Sequence, residues 1–449
     1  MGLLPYSLLM NSLVIRVTRR AHIGLIPLAM GGLLLAAVLA WVLGGYFDYD
    51  IHRLISYYSA DAPGSVVNVV IGDRLYGVHT FGDYLLAHDY STVGNPWINS
   101  ISGSNNYPPV AMGIFWVLSL VPYKLGLFIF LLLSFASLLY PIVNELRRHQ
   151  AFNVYGYLLV PSILSVGVIT AMDRGNFVAL LVTPMYLFFR MVKEEKWGKS
   201  TLLLALLISL KIYPALLLLV YIKNRQFLRI LQVAAYGIAG SLMVTSIFPG
   251  NFMTNVKTIV SSIRGYHSIG PIGLDPGNAS LFGAFSRTLT RFPSLGPVLQ
   301  FLTAHIWWLG IFYLFLVGFI VLRRIIPDEI TLFLTVSTLW MVPPLSFHYV
   351  TSFLLIPLAL SIGKKESRSS PFLYSLTTIS ILVTLLPIVI PIAQGNENAM
   401  RSISTFSWLI LAIAAFSSSI RHSSERIQNT SPKQNLRTRV INRINSIAG

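Results

Sequence analysis

The stretch "SLKIYPALLLL", residues 209 to 219, places a lysine and a proline inside a run of apolar residues. Proline lacks a backbone N–H donor and breaks a helix, so Pro214 leaves backbone groups of this stretch without a helical partner. At membrane depth, such groups are tolerated only against protein or a water-filled cavity. In a membrane protein, this stretch therefore predicts short, broken helices around a cavity.

The composition of the chain indicates a membrane protein. Of its 449 residues, 54% are hydrophobic and 11% are charged, which excludes an ordinary soluble globule. Several apolar runs are long enough to cross about 30 Å of hydrocarbon as helices. The first covers residues 22 to 45, and we expect it to be a span, because it is too long for a signal peptide and lacks a small-residue cleavage pattern. We predict an all-α polytopic membrane protein with about 12 to 14 transmembrane helices, several of them short or broken.

The basic residues predict the topology. The formal charge is +17, but much of the excess lies beside apolar runs and in the C-terminal tail. Positive-inside topology and anionic lipid explain that distribution better than nucleic acid does. The predicted organisation is a cytoplasmic N-terminus (1–21), one transmembrane domain (22–420) with extracytoplasmic loops at 46–107 and 249–296, and a basic, disordered cytoplasmic tail (421–449). The absence of cysteine removes disulfides and thiolate metal sites.

One region leaves the span count open. The alternation of basic, inner links with outer links holds from residue 174 onward but fails between residues 108 and 172. It is restored if one segment there is re-entrant, or if the run broken by Pro161 makes two short crossings. The pair Arg147-Arg148 does not by itself decide between these alternatives.

The acidic residues argue against a proton-coupled transporter. Every acid falls in a loop or at a span boundary, whereas such transporters usually need an intramembrane carboxylate. The outward links instead carry a set of polar side chains near span ends: Asp83, Arg174, Lys211, Arg287 and His348. Cations on the outer side run against the positive-inside bias, which indicates phosphate contacts as well as the usual snorkelling to the interface.

Six sequence segments resemble one enzyme family. They are "GNPW" at 94–97, "NYPPVAMGIFWVLSLVPY" at 106–123, "DRGNFVALL" at 173–181, "LKIYPALLLL" at 210–219, "GNASLFGAFSR" at 277–287 and "SFHYVTSFLLIPL" at 346–358. Together with the acid at Asp83, they resemble, in order, the motifs of glycosyltransferase family 87, the polyprenyl-phosphate-sugar-dependent mannosyltransferases and their relatives. The resemblance covers about residues 80 to 360 and implies the C-type glycosyltransferase (GT-C) fold.

The resemblance implies a role for each candidate residue. Asp83 would be the general base that deprotonates an acceptor hydroxyl, with inversion at the anomeric carbon. The implied donor phosphate and sugar contacts are Lys211, Arg174, His348, Arg287, Asn278 and Tyr107. A sugar on a lipid phosphate carries its own leaving group, so a carboxylate and cations suffice and we expect no metal or other cofactor. The implied donor is polyprenyl-phosphate mannose. The acceptor would be a lipid-linked or envelope glycan outside a bacterial cytoplasmic membrane.

Several alternatives stay open. Asp50 is a rival base, because it directly follows the first span, where compact family members carry the catalytic acid. Asp48-Tyr49-Asp50 resembles the metal-binding Asp-x-Asp motif, although so short a pattern is common by chance. His348 is as well explained as a structural histidine. The sugar could be arabinofuranose or another pentose, and a transporter, a lipid flippase or a membrane scaffold would also fit broken helices. Membrane lipids are expected partners, and the sequence leaves the oligomeric state undetermined.

Overall fold

A computed structural model of the chain describes residues 69–71, 74–76, 81–92, 94–97, 107–265, 278–362, 371–385, 391–392 and 395–429. The predicted N-terminus at 1–21, the first span at 22–45, Asp50 and the tail beyond residue 429 lie outside the described residues. The described part is mostly helical, as predicted.

The elements follow one another in this order. The N-terminal half contains β1 (Val69–Ile71), β2 (Arg74–Tyr76), α1 (Gly82–Thr92), α2 (Pro109–Ser119), α3 (Tyr123–Arg148), α4 (Phe152–Tyr155), α5 (Pro161–Leu164), α6 (Val166–Asp173), α7 (Val178–Lys193), α8 (Trp197–Leu210), α9 (Leu218–Lys223) and α10 (Phe227–Thr245). The C-terminal half contains α11 (Phe252–Gly265), α12 (Leu281–Leu289), α13 (Gly296–Ala304), α14 (Trp308–Arg323), α15 (Asp328–Met341), α16 (Leu355–Ser361), α17 (Pro371–Leu385), β3 (Pro391–Ile392), β4 (Gly395–Asn398) and α18 (Ala399–Asn429). Four 3-10 segments, Gly156–Leu159, Tyr213–Leu217, Pro293–Leu295 and His348–Leu354, join some of these helices. The strands form two small antiparallel hairpins, β1 with β2 and β3 with β4.

Several helices are long and apolar enough to cross a membrane. Among the described residues these are Tyr123–Arg148, Phe227–Thr245 and Ser402–Arg421. Two bent pairs add further candidates: Phe152–Leu164 with Val166–Asp173, bent by 41°, and Pro293–Ala304 with Trp308–Arg323, bent by 72°. The described residues therefore hold 3 to 5 candidate spans by length and composition. Apolar helices of 10 to 17 residues accompany them, and the count of about 12 to 14 spans stays a prediction.

The outer surface of the bundle is apolar. Phe128 is 63% exposed, Leu231 69% and Phe315 60%. Soluble monomers rarely expose large contiguous apolar patches, whereas lipid tails are as apolar as these side chains. Helix α10 shows this best, since only 6% of its most apolar 18-residue stretch is buried inside the protein. The surface therefore supports a membrane-embedded protein.

The break expected from "SLKIYPALLLL" occurs at the lysine. Helix α8 ends at Leu210, and Lys211 adopts an extended conformation with φ −151° and ψ 139°. A 3-10 segment, Tyr213–Leu217, follows and carries Pro214 in its first turn, where a missing N–H costs no helical hydrogen bond. The chain then continues as α9. A charged side chain is thereby placed in the gap between two apolar helices.

Two parallel helices define the two ends of the bundle. Ser137 Oγ in α3 donates to the carbonyl oxygen of Leu180 in α7, at 3.0 Å. Nearer the C-terminal ends of the same helices, Arg190 Nη1 lies 3.2 Å from Glu145 Oε1. Because these contacts advance together along both helices, α3 and α7 run in the same direction. Their basic C-terminal ends therefore lie at one end of the bundle, and the chain returns through α4 to α6 between them.

Helix α2 is too short for a full crossing of the membrane. It has 11 residues and is therefore roughly 16 Å long, about half of the hydrocarbon thickness. Its C-terminal neighbour Tyr123 packs on α1, with its ring centroid 5.7 Å from that of Tyr84. Phe115 in the middle of α2 contacts both Tyr84 and Tyr107, which precedes α2, at centroid distances of 5.9 and 5.6 Å. Tyr107 in turn lies beside Lys211, whose charge acts on Asp83 in α1. Both flanks of α2 thus lie on the side of the bundle that holds Asp83, which favours the re-entrant alternative for the region between 108 and 172.

Candidate active site

Asp83 stands in the first turn of α1, within the stretch that was expected to be a solvated outer loop. Tyr84, Ala87 and Tyr90 recur every three residues, and each is at most 5% exposed. Residues at this spacing share one face of a helix, so α1 buries this face against α2 and is not surrounded by solvent. The N-terminal position also favours the carboxylate of Asp83, since the helix dipole is positive there.

Two side chains of the sequence motif "DRGN", Arg174 and Asn176, hold the Asp83 carboxylate. Arg174 Nε donates to Oδ2 at 3.0 Å and Arg174 Nη2 donates to Oδ1 at 2.6 Å, which is a bidentate pair. Asn176 Nδ2 donates to Oδ2 at 2.5 Å. The side chains of Asp83 and Arg174 are only 12% and 17% exposed. The carboxylate is therefore fixed in position by two neighbours and largely shielded from water.

The backbone around these residues explains the pairing. The N–H of Phe81 donates to the carbonyl oxygen of Asp173 at 2.6 Å, and the N–H of Asp83 donates to the carbonyl oxygen of Arg174 at 3.0 Å. Gly175 has φ +59°, and a Cβ there would lie 2.8 Å from the Cβ of Tyr84, so only glycine fits the turn. Asn176 Oδ1 accepts the N–H of Val178 at 2.9 Å and thereby caps α7. The motif positions its side chains through backbone geometry.

The electrostatic surroundings keep Asp83 ionised. Burial raises the pKa of Asp83, but the charge of Arg174, the hydrogen bonds from Arg174 and Asn176 and the charge of Lys211 together lower this pKa below its usual value. A lowered pKa contributes stability above the unfolded-state pKa, and this contribution is lost as the pH falls through the folded-state pKa. At neutral pH the site therefore presents a carboxylate.

Lys211, whose charge also acts on Asp83, lies over an aromatic ring. Its Nζ is 4.1 Å from the ring centroid of Tyr107, a distance that allows a cation–π interaction. The carbonyl oxygen of Tyr107 accepts a hydrogen bond from Trp97 Nε1 at 3.2 Å. Tyr107 thus links the "GNPW" turn to the lysine in the broken helix.

The "GNPW" turn is anchored to the junction between α10 and α11. Asn95 Nδ2 donates to Asn255 Oδ1 at 2.5 Å and to the carbonyl oxygen of Pro249 at 3.1 Å. Its Oδ1 accepts the N–H of Trp97 at 3.1 Å, which closes the turn. These contacts hold the turn at 94–97 against the ends of two later helices.

A second cluster adjoins the first through Phe347. The guanidinium carbon of Arg174 is 5.5 Å from the ring centroid of Phe347, and the next residue, His348, is 4% exposed. Asn278 pairs with the backbone of Phe347 in a β-bridge, and its Oδ1 accepts the N–H of Ser346 at 3.1 Å. Arg287, which is 2% exposed, donates to the carbonyl oxygen of Asn278 at 2.7 Å. Asn278 and Arg287 thus brace the segment that carries His348.

The predicted residues fall into two adjoining groups. Asp83, Arg174, Lys211 and Tyr107 form the first, and His348, Asn278 and Arg287 form the second, as described above. Asp50 lies outside the described residues. Two contacts were not assigned from the sequence: Asn176 at the carboxylate and Phe347 beside Arg174. Both stood inside recognised motifs, and the amide next to Arg174 and Gly175 was the signal available for Asn176.

Among the residues that the structure describes, no group of three or more His, Cys, Asp or Glu side chains could hold a metal ion. The pair Asp48 and Asp50 lies outside these residues. The expectation of metal-free chemistry therefore stays a prediction.

A comparison with protein families gives a match. The model of the family described as glycosyltransferase family 87 matches residues 105–347, more than half of the chain. The matched region contains Tyr107, Arg174, Lys211 and Arg287, whereas Asp83 precedes it and His348 directly follows it. No curated protein matches the chain.

Proposed function

The chain belongs to glycosyltransferase family 87 and is therefore a membrane glycosyltransferase, and from this premise we propose its donor, acceptor and mechanism. It transfers a sugar, mannose, from a polyprenyl-phosphate donor to a lipid-linked or envelope glycan acceptor. The reaction takes place on the outer side of a bacterial cytoplasmic membrane. The observation that carries this proposal is the pairing of a buried carboxylate, Asp83, with the cations Arg174 and Lys211 at one end of the helix bundle.

Asp83 accepts the proton of the acceptor hydroxyl. Among the described residues, its Oδ2 already accepts two hydrogen bonds and its Oδ1 accepts one. A carboxylate oxygen can accept about two hydrogen bonds, so Oδ1 is the atom that receives the acceptor O–H. Arg174 and Asn176 orient the carboxylate, and orientation of this kind is a large part of catalysis in a transfer reaction. Asp83 is therefore the base, and its two neighbours are positioning residues.

The acceptor oxygen attacks the anomeric carbon from the side opposite to the phosphate. The new glycosidic bond forms while the bond between the anomeric carbon and the phosphate oxygen breaks, and the phosphate leaves with the electron pair. Lys211 stabilises the negative charge that develops on the departing phosphate. The products are a glycoside of inverted configuration, a polyprenyl phosphate and a proton that passes from Asp83 to solvent.

An apolar groove beside Lys211 supports a lipid-borne donor. The groove has a volume of about 480 Å³ and lies among α8, α10, α11 and the 3-10 segment after Lys211. Its lining includes Pro108, Ser209 and Ile212, which are close neighbours in sequence of Tyr107 and Lys211. An isoprenoid chain in this groove would place its phosphate near the lysine, while the chain stays in contact with the bilayer.

Filling the groove tests this placement. Ala234→Trp puts an indole into the lining and is expected to raise KM for the full-length donor by about tenfold or more, because loss of contact with even two methylene groups costs about that much. A short-chain donor analogue should show an unchanged KM. The matched control is Ala235→Trp, on the next residue, which is also exposed but does not line the groove. Equal effects of the two tryptophans, or an equal effect on the short-chain donor, would contradict the placement.

The pH profile tests the role of Asn176. In the wild-type protein the pKa of Asp83 is lowered, so the acid limb of kcat/KM is expected below the ordinary carboxyl pKa of about 3.9. Asn176→Ser keeps a helix-capping oxygen but removes the amide donor, and loss of that charged hydrogen bond should move the limb to higher pH. Asn144→Ala is the control, since its amide bonds Tyr186, at 2.6 Å, further along α3 and α7 and away from the ends of these helices that lie beside Asp83. A profile that does not move in Asn176→Ser would show that the titrating base is another group.

The proposal as a whole is tested by transfer of radiolabel. The purified full-length protein in detergent is incubated with labelled polyprenyl-phosphate mannose, or the arabinofuranose donor, and a membrane lipid extract. We expect labelled lipid product from the mannose donor, without any gradient. Product from the pentose donor alone would correct the sugar, and no product from any polyprenyl-phosphate sugar would overturn the donor class.

A further inference from the structure

A second cavity lies at the end of the bundle remote from Asp83. It has a volume of about 270 Å³ and lies among the ends of α7, α9, α14 and α15. Two lysines at its mouth, Lys193 and Lys223, are the C-terminal residues of α7 and α9. None of the reaction steps derived above uses this cavity.

The course of the chain places this cavity on the opposite face of the membrane domain. Helix α7 begins beside Asn176, which bonds Asp83, and its 16 residues, roughly 24 Å in length, end at Lys193. The segment that starts at Lys211 likewise ends at Lys223. Two independent stretches of chain therefore lead from the outer site to the mouth of the second cavity.

The inside of the cavity is apolar. Phe189, Val321 and Leu360 line it and are 7%, 1% and 9% exposed. The hydroxyl groups in the lining are already bonded, since Thr335 Oγ1 donates to the carbonyl oxygen of Thr331 at 2.7 Å. The interior thus suits a hydrocarbon chain.

The mouth of the cavity is cationic and its ion pair is open to exchange. Lys193 is exposed, and the Lys223 side chain, 22% exposed, pairs with Asp328 at 3.0 Å. The Asp328 side chain is 79% exposed, and an ion pair with so exposed a partner contributes little to stability. Arg324, with φ +54°, donates to the carbonyl oxygen of Lys223 and adds positive charge near the mouth. An incoming anion can therefore replace Asp328 on Lys223.

We propose that this cavity binds an anionic phospholipid of the membrane leaflet opposite to the transferase site. One acyl chain enters between Phe189 and Leu360, and the headgroup phosphate contacts Lys193 and Lys223 while Asp328 turns to water. Charge complementarity selects this occupant: a neutral lipid would leave the lysines unused, and a soluble phosphate would leave the apolar interior unused. Basic pockets between membrane helices on the inner side commonly bind anionic headgroups. The bound lipid would join α7 and α9 to α14 and α15.

Thermal unfolding in mixed micelles tests the proposal. The full-length protein is titrated with dioleoylphosphatidylglycerol against a background of dioleoylphosphatidylcholine, and the unfolding midpoint is followed. A ligand that binds only the folded state raises this midpoint, so we expect a saturable rise with the anionic lipid. In Lys193→Gln/Lys223→Gln the half-saturating mole fraction should increase by roughly 25-fold, about five-fold for each lysine.

Two control titrations, one of a second double variant and one with a soluble phosphate, decide the outcome. Lys196→Gln/Lys199→Gln removes the same charge from exposed lysines at the same end of the bundle, outside the cavity lining, and should keep the wild-type titration. Soluble glycerol 3-phosphate should give no rise, because it lacks the acyl chain. The proposal is overturned if both double variants lose the rise equally, if the cavity variant titrates like the wild type, or if glycerol phosphate reproduces the effect. Each variant is compared with its own midpoint without anionic lipid, so a less stable fold does not obscure the result.

Discussion

Replacement of Asp83 by asparagine is expected to lower kcat by about a thousandfold. The amide has nearly the same shape as the carboxylate but cannot accept the proton of the acceptor hydroxyl. KM for the donor should change much less, because the proposed donor phosphate site is formed by Lys211. The measurement is steady-state transfer of labelled sugar by the purified variant, with the unfolding midpoint recorded for the same sample.

The control for this variant lies on the same helix. Asp89 is six positions further along α1, and Asp89→Asn removes an equal charge from a side chain that is 28% exposed. We expect Asp89→Asn to retain wild-type kcat. A well-folded Asp83→Asn protein with more than a tenth of wild-type activity would remove the catalytic role of Asp83. If Asp50→Asn were inactive in that case, the base would be Asp50.

Replacement of Lys211 by methionine is expected to lower kcat by about a hundredfold or more. A preorganised group that stabilises developing negative charge typically contributes roughly 3 to 4 kcal/mol to the transition state. Methionine preserves the unbranched shape over Tyr107 but carries no charge. Lys211→Arg restores a cation, although of different geometry, and should recover part of the loss. The measurement is kcat and KM for the donor in all three proteins.

The division between kcat and KM decides the role of Lys211. Lys124 is an exposed lysine at the start of α3, on the same side of the bundle as Tyr123 and α1, and Lys124→Met should leave both constants unchanged. An interaction made only in the transition state appears in kcat, whereas uniform binding appears in KM. A Lys211→Met variant that raises KM at constant kcat would therefore show that the lysine binds the donor without assisting departure of the phosphate.

Much of the candidate site was accessible from the sequence. The family, the transferase activity and the membrane-embedded, mostly helical architecture are confirmed. The proline of "SLKIYPALLLL" correctly predicted a broken helix in this stretch, because the local rules for proline apply wherever the chain folds, and the break itself lies three residues earlier, at Lys211. The outward cations were predicted from charge bias, and the structure brings Arg174 and Lys211 together around Asp83.

The features that could not be predicted from the sequence depend on contacts between distant segments of the chain. The hydrogen bond from Asn176 to Asp83 joins residues 93 positions apart, and only the approach of Phe81 to the turn after Asp173 creates it. The helix α1 was hidden because its buried face includes polar and tyrosine side chains, among them His88, Ser91 and Tyr84, which read as loop residues in the sequence. Whether α2 crosses or returns could not be deduced from the sequence, since an apolar run of 11 residues fits either a short crossing or a return. Side-chain roles in the His348 cluster stay predictions for the same reason.

The long separation between Asp83 and Arg174 also orders events during biosynthesis. The two residues are 91 positions apart, so at ordinary elongation rates Arg174 leaves the ribosome roughly 5 to 20 seconds after Asp83. Until then the acid has no counter-cation, and α1 cannot be tied to the turn before α7. A nascent chain that stops before Arg174 thus lacks a reactive centre, and appearance of transferase activity would report that insertion of this part of the polypeptide is complete.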